Sequence, residues 1–304
     1  MGDRNFLHRH FASLSTIDFI NISFLAFLLL CYLRAFSHTP YKLPLACIYA
    51  GLLLFVFVCA SLRLAIEPGR WRQFVMFVYP IIFLFTVFET FFMILPFSNS
   101  LRFDDLMVEI DVFLLGVQPT VWVEPVIHPV LTDLMYLLYL IYFPLPLIIL
   151  GWMLHRGMYD QLEESFVVFL LCYYGAYVMY FALPVEGPRL HLAALHKIDL
   201  EGYLLAEPIR KFIDVLEPNK LDAFPSLHAA ILVITMLVSY QYNRILFWYF
   251  VPVGLGIIIS LVYCRYHYVI DVVAGFAWAG ICYPVGKRLY GALRDKCVRH
   301  FGNR

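Results

Sequence analysis

Two short stretches gather ionisable side chains at the mouths of long apolar segments: Ala223-Phe224-Pro225-Ser226-Leu227-His228 and Arg265-Tyr266-His267-Tyr268-Val269-Ile270-Asp271. His267 and Asp271 are four residues apart, so on a helix they share a face one turn from each other. A carboxylate in that position accepts the proton of one imidazole nitrogen and leaves the other free to attack or to take a proton. His228 follows Pro225-Ser226, which reads as a helix start. The free N–H groups and positive dipole end of such a start form a seat for phosphate. One histidine oriented by an aspartate and a second at an anion-binding helix end suggest phosphoryl transfer through a phosphohistidine.

The elements that position these groups are those of a membrane protein. Of 304 residues, 62% are hydrophobic and 14% charged, where a soluble domain carries roughly a quarter charged residues. Mean hydropathy is +0.78. The pattern predicts an all-α, polytopic membrane helix bundle of about eight spans, near 17–36, 43–66, 73–96, 130–154, 164–184, 226–242, 245–263 and 268–290. The first reads as a retained span rather than a cleaved signal peptide. In such a chain an ionisable group beside an apolar span is by default a functional candidate. Formal net charge is +0, so no basic surface argues for nucleic acid. The 7 cysteines form no Cys-x-x-Cys pair and read as inert buried thiols.

Eight spans put both termini on one side, with thirteen of the lysines and arginines there against nine opposite. That excess, greatest in the C-terminal tail, predicts cytoplasmic termini and a site opening on the extracytoplasmic or lumenal side. Segment 97–129 reads as an interfacial helix and turn. Segment 185–225, with Glu186-Gly187-Pro188-Arg189 at its start, reads as a long functional loop. Glu89 lies seven residues before Pro96 in the third span, about 10 Å deep at ~1.5 Å per residue. A carboxylate there is expected to face the bundle interior, to bind a polyol headgroup or pair with an arginine. The chain reads as a single membrane domain over 1–304.

Pro-Ser-x-His followed some forty residues later by His-x-x-x-Asp, with an arginine ahead of the first motif, resembles the phosphatidic-acid phosphatase type 2 superfamily over roughly residues 105–291. Ser226-Leu227-His228-Ala229, Asp111 with Leu115-Gly116 and Pro119, and the run from His128-Pro129 through Tyr139, Tyr142 and Pro144 are similar to its inositol phosphorylceramide synthase branch. The resemblance implies a six-helix catalytic core and a membrane lipid as substrate. It implies His267 as nucleophile, Asp271 as its orienting carboxylate and His228 as acid and then base. Arg189 and Ser226 would bind phosphate, with no cofactor and no metal. Ala182 stands where the family usually has a lysine, and Leu261 where it has an arginine. Arg265, four residues on, is expected to replace the latter. Fewer cations suit a phosphodiester better than a phosphomonoester, hence a lipid headgroup phosphotransferase rather than a lipid phosphate phosphatase.

Other readings compete. His228, His267 and Asp271 could supply three ligands to zinc in an intramembrane hydrolase, or form the proton relay of a transporter. Each group also has a structural reading: His267 and Asp271 as a buried pair, Arg265 as a snorkelling anchor, Arg189 as a loop charge. Tyr173, Tyr177 and Tyr180 on one helix face read as packing or an aromatic belt.

Overall fold

The computed structural model describes residues 14–67 and 69–301, with side chains through residue 294. The polar segment 1–13, Pro68 and residues 302–304 lie outside the described residues, as do the side chains of Lys296, Cys297 and Arg299. Among the described residues the elements are helices: α1 Thr16–Ala35, α2 Lys42–Ala65, α3 Arg70–Glu89, α4 Phe91–Ser98, α5 Asp104–Leu115, α6 Pro119–Trp122, α7 Pro129–Ile141, α8 Pro144–His155, α9 Tyr159–Ala182, α10 Pro188–His191, α11 Ala206–Leu216, α12 Leu227–Tyr242, α13 Arg244–Tyr263 and α14 Val269–Phe301.

Local chemistry sets the boundaries. Ser15 opens α1 with a reciprocal box, its hydroxyl accepting from the Asp18 N–H while the Asp18 carboxylate accepts from the Ser15 N–H at 2.7 Å. Gly116, left-handed at φ 73°, closes α5. Pro129 follows the N-cap His128 at the head of α7. Asn243 caps α13 through the Leu246 N–H at 3.1 Å.

Seven helical runs among the described residues are long and apolar enough to cross a membrane, with α7 and α8 counted as one run, Pro129–His155. This is a multi-pass membrane protein of all-α architecture. Three expectations change in detail. The third expected span breaks at Thr90, whose hydroxyl bonds back to the Val87 carbonyl, so α3 and α4 are separate. The interfacial helix and turn are α5 followed by the stretch Pro119–Val126, bent by 64°, a pair that would count as an eighth, broken span. The sixth expected span, α12, has 16 residues, about 24 Å at ~1.5 Å per residue, short of a ~30 Å hydrocarbon core. The polar loop 185–225 also holds a helix, α11, which hides its Ala206, Ile209 and Ile213 face.

The chain divides into two compact units. The first comprises residues 1–98, 152–171 and 283–304. In it α1 packs on α2 and α4, and α2 on α3. Arg63 meets the fully buried Asp18 at 2.8 Å. Glu89, the last residue of α3, is exposed. Its carboxylate does not face the interior expected for it, because the helix ends there and turns its buried face through Phe83 and Val87 instead. The second unit comprises residues 99–151 and 172–282. There α7 packs on α13 and α11, and α12 on α13. All the remaining candidate residues belong to this unit.

Candidate active site

Three backbone segments meet around the two histidines: 185–189, 222–228 and 264–271. Val185 and Asp222 form an isolated parallel bridge, and the Ala223 N–H donates to the Val185 carbonyl at 3.1 Å. The Arg189 N–H donates to the Arg265 carbonyl at 2.7 Å, and the Ser226 N–H to the Asp271 carbonyl at 3.0 Å. Close approach is built in by glycine. A Cβ on Gly187 (φ +92°) would lie 2.7 Å from the Tyr266 carbonyl oxygen, and one on Gly275 would strike the Ser226 carbonyl.

Acidic side chains of the 104–133 stretch fasten these segments. The fully buried Asp111 accepts from the Val269 and Ile270 N–H groups at 2.9 and 2.8 Å, closing the first turn of α14. Asp104 accepts from the Gly187 N–H at 2.9 Å and the Tyr268 hydroxyl at 3.1 Å. Glu124 accepts from the Lys197 N–H at 2.8 Å. Asp133 accepts from four successive N–H groups, Tyr203 to Ala206, at the head of α11. Asp111 and Asp133 thereby take backbone donors at the heads of α14 and α11.

The structure brings His267, His228 and Asp271 together. His267 Nε2 faces His228 Nδ1 at 3.4 Å. His267 Nδ1 lies 3.0 Å from the Ala223 carbonyl. A carbonyl only accepts, so the neutral ring carries its proton on Nδ1 and its lone pair on Nε2. Asp271 stands 3.6 Å from Nδ1, near enough for charge stabilisation but farther than the carbonyl. Its Oδ2 accepts from the Tyr268 N–H at 2.8 Å. The helical one-turn relation expected for the pair is therefore not what joins them: His267 precedes α14, and Asp271 lies inside it. Burial pushes the His267 imidazole down to about 4, against the opposing charge of Asp222, so the ring is neutral near pH 7. Burial also raises Asp222 to about 6.

His228 is the second residue of α12, behind the N-cap Ser226, whose hydroxyl oxygen accepts from the Ala229 N–H at 3.3 Å. That leaves the Ser226 hydroxyl proton for another acceptor. The His228 ring is clasped by Tyr139 and Tyr142, with centroids at 4.6 and 4.3 Å. Sequence reasoning missed a carboxylate beside it. Glu217 Oε1 lies 3.4 Å from His228 Nε2, although nothing in a polar loop distinguished Glu217 from its neighbours. Tyr177 and Tyr180 turn inward rather than forming a belt, and the Tyr180 hydroxyl donates to the Pro225 carbonyl at 3.3 Å.

Both candidate phosphate-binding arginines are engaged by carboxylates. Arg189 makes a parallel fork to Asp214, 2.9 Å on each arm, and also donates to the Tyr266 hydroxyl at 3.1 Å. Arg265 is buried, with φ 64°, and donates to Glu124 at 3.0 Å and to the Ile198 carbonyl at 2.8 Å. It lies beyond the end of α13, so the shared helical face that would let it stand in for an arginine at Leu261 does not exist. Its guanidinium ties segment 196–198 to Glu124. Among the described residues no group of three or more histidines, cysteines and carboxylates is arranged to hold a metal ion.

Two facing histidines, an aspartate at the first and a serine-capped helix under the second thus lie together in a polytopic helical membrane protein. A family model described as the PAP2 superfamily matches residues 107–285. The chain belongs to the PAP2 superfamily, whose members are phosphatases and phosphotransferases. No curated protein and no solved structure matches the chain.

Proposed function

We propose that this enzyme cleaves or transfers a phosphoester group of a membrane lipid through a phosphohistidine on His267. The observation that carries the reading is the facing pair: His267 Nε2 holds a lone pair, because Nδ1 is committed to the Ala223 carbonyl, and His228 Nδ1 is 3.4 Å from it. A phosphorus entering between the rings meets a nucleophile on one side and an acid on the other. His267 Nε2 bonds to phosphorus, the bond to the leaving oxygen breaks, and His228 protonates that oxygen. An acceptor hydroxyl then gives its proton to His228 and displaces the histidine. Asp271 stabilises the charge that develops on His267. Ser226 donates its hydroxyl to a phosphate oxygen. Arg189, one hydrogen bond from Tyr266, carries phosphate charge when its fork turns from Asp214. Arg265, bound to Glu124 and Ile198, shapes the site rather than touching phosphate.

We assign the reaction to headgroup transfer between lipids, of the inositol phosphorylceramide synthase type. Support comes from Ala182 and Leu261, which leave the site fewer cations than a phosphomonoester dianion requires. Lipid phosphate hydrolysis differs only in that water resolves the intermediate. The site opens on the extracytoplasmic or lumenal side, with both termini cytoplasmic. Glu89, exposed at the end of α3, has no place in this mechanism. The test is incubation with a panel of labelled phospholipids, with and without ceramide, diacylglycerol or inositol. Transfer to an added alcohol supports the assignment, and release of free phosphate alone supports hydrolysis. An enzyme that leaves every phosphoester intact contradicts the proposal.

A further inference from the structure

Glu217 has no role in the reaction as described, yet it is placed against one of its two histidines. It caps the end of α11, its N–H donating to the Ile213 carbonyl at 2.8 Å. From there its side chain, 17% exposed, turns inward. Oε1 lies 3.4 Å from His228 Nε2, while Oε2 accepts from the Tyr139 hydroxyl at 3.2 Å. Tyr139 also stacks on the His228 ring. Carboxylate, phenol and imidazole thus fix one another, and Nδ1 is left aimed at His267.

We propose that Glu217 is the positioning carboxylate of His228, so that the acid and base of the reaction is the Glu217–His228 pair. This rests on the phosphohistidine reading above. The proton count explains why a pair serves where a lone buried imidazole would not. His228 Nε2 is buried with Glu217 Oε1 at 3.4 Å and no formed hydrogen bond, so a small turn of the carboxyl completes the working pair, with one proton between Oε1 and Nε2 and a second on Nδ1. When His267 Nε2 bonds to phosphorus and the bond to the leaving oxygen breaks, that oxygen takes the Nδ1 proton. The shared proton stays on Nε2, leaving a neutral imidazole and a carboxylate. In the second half the acceptor hydroxyl returns a proton to Nδ1, its oxygen bonds to phosphorus and the N–P bond breaks. The buried ring never carries an uncompensated charge, which a low-dielectric interior penalises.

The surroundings suit a carboxyl that keeps its proton at neutral pH. Burial, and then the charge of Asp222, raise Glu217 to about 8, against Lys220 and the Tyr139 hydrogen bond. Asp214 adds to the rise. Lys220 itself is held by Asp214 and the Glu217 carbonyl, at 3.0 and 2.8 Å.

The experiment uses the full chain in detergent and a series of aryl octyl phosphates whose leaving phenols run from nitrophenol to phenol. Nitrophenolate needs no proton to leave, and phenolate does. In the first turnover, before the acceptor step draws on the same pair as base, Glu217→Gln is expected to release nitrophenol within a few-fold of wild type while releasing phenol ~10²-fold more slowly, the usual scale of general acid catalysis. The dependence of rate on leaving-group acidity therefore steepens. Glu217→Asp should recover part of the loss. If Glu217→Gln does not fold, Tyr139→Phe, which removes the donor to Oε2, should steepen the same dependence to a smaller extent. A parallel fall for all leaving groups, or an unchanged dependence, overturns the pairing and leaves the phosphohistidine reading standing. A wild-type enzyme that releases no phenol from any member of the series contradicts that reading itself.

Discussion

Replacing Asp111 tests whether the 104–133 carboxylates position the site. Its two oxygens take the Val269 and Ile270 N–H groups at 2.9 and 2.8 Å, and the residue is fully buried. Hydrogen bonds to a charged group contribute about 1.5–3 kcal/mol each, and a buried donor left alone costs a similar amount. Allowing for overlap between the two bonds, Asp111→Ala should destabilise the fold by about 3–5 kcal/mol. Asp111→Asn keeps one acceptor and loses the charge, for about 1–2 kcal/mol. The effect reaches the chemistry because Val269 follows His267 by two residues. A loosened first turn of α14 moves Nε2 away from His228, and a ~1 Å misplacement costs about 10²-fold in rate. Unfolding in mixed micelles with increasing dodecyl sulfate, followed by tryptophan fluorescence, measures the first quantity. Turnover of an aryl octyl phosphate measures the second. An Asp111→Ala variant within ~0.5 kcal/mol of wild type, the range of an ordinary surface change, would refute the reasoning. So would an Asn variant as damaged as the Ala variant.

Because burial holds the His267 imidazole down to about 4, its nucleophilic form is the populated one at neutral pH. Release of nitrophenol should stay flat on acidification and fall only as pH drops through about 4, where the ring takes a proton; a fall centred near 6.5, the ordinary histidine value, would mean a ring open to water. Arg265→Ala and Glu124→Ala should both lower turnover, and the double variant should lose less than the sum of the two, since the Arg265–Glu124 contact goes in each; fully additive losses would separate the two roles. A cysteine at the exposed Lys197 should react with an impermeant thiol reagent in intact cells or sealed right-side-out vesicles, and reaction only after permeabilisation would reverse the topology.

The helical membrane architecture was legible in the sequence because composition and long apolar runs are one-dimensional signals. So was the gathering of His228, His267 and Asp271, since two motifs at span mouths carried it. The partners of these groups were not legible. Ala223 offers His267 a backbone carbonyl, which no residue type announces. Glu217 reaches His228 only because α11 folds back from a stretch whose polarity read as a loop. Arg265 looked like a compensating arginine on a helix face until the chain left α13 at Tyr263 and entered a left-handed conformation. Glu89 was expected inside because a continuous third span would have buried it, and the break at Thr90 leaves it outside. Asp111 belonged to a recognisable run, but its task as the cap of α14 depends on contacts more than 150 residues away in sequence.

The central claim is that phosphorus is carried on His267. Brief incubation with an aryl octyl phosphate labelled at phosphorus, an alkaline detergent quench and peptide mapping test it most directly. A base-stable, acid-labile label is expected on the peptide bearing His267. That label should be absent from His267→Ala and retained in His228→Ala when the leaving group is nitrophenol. Label on the His228 peptide, or continued turnover by His267→Ala, would contradict it.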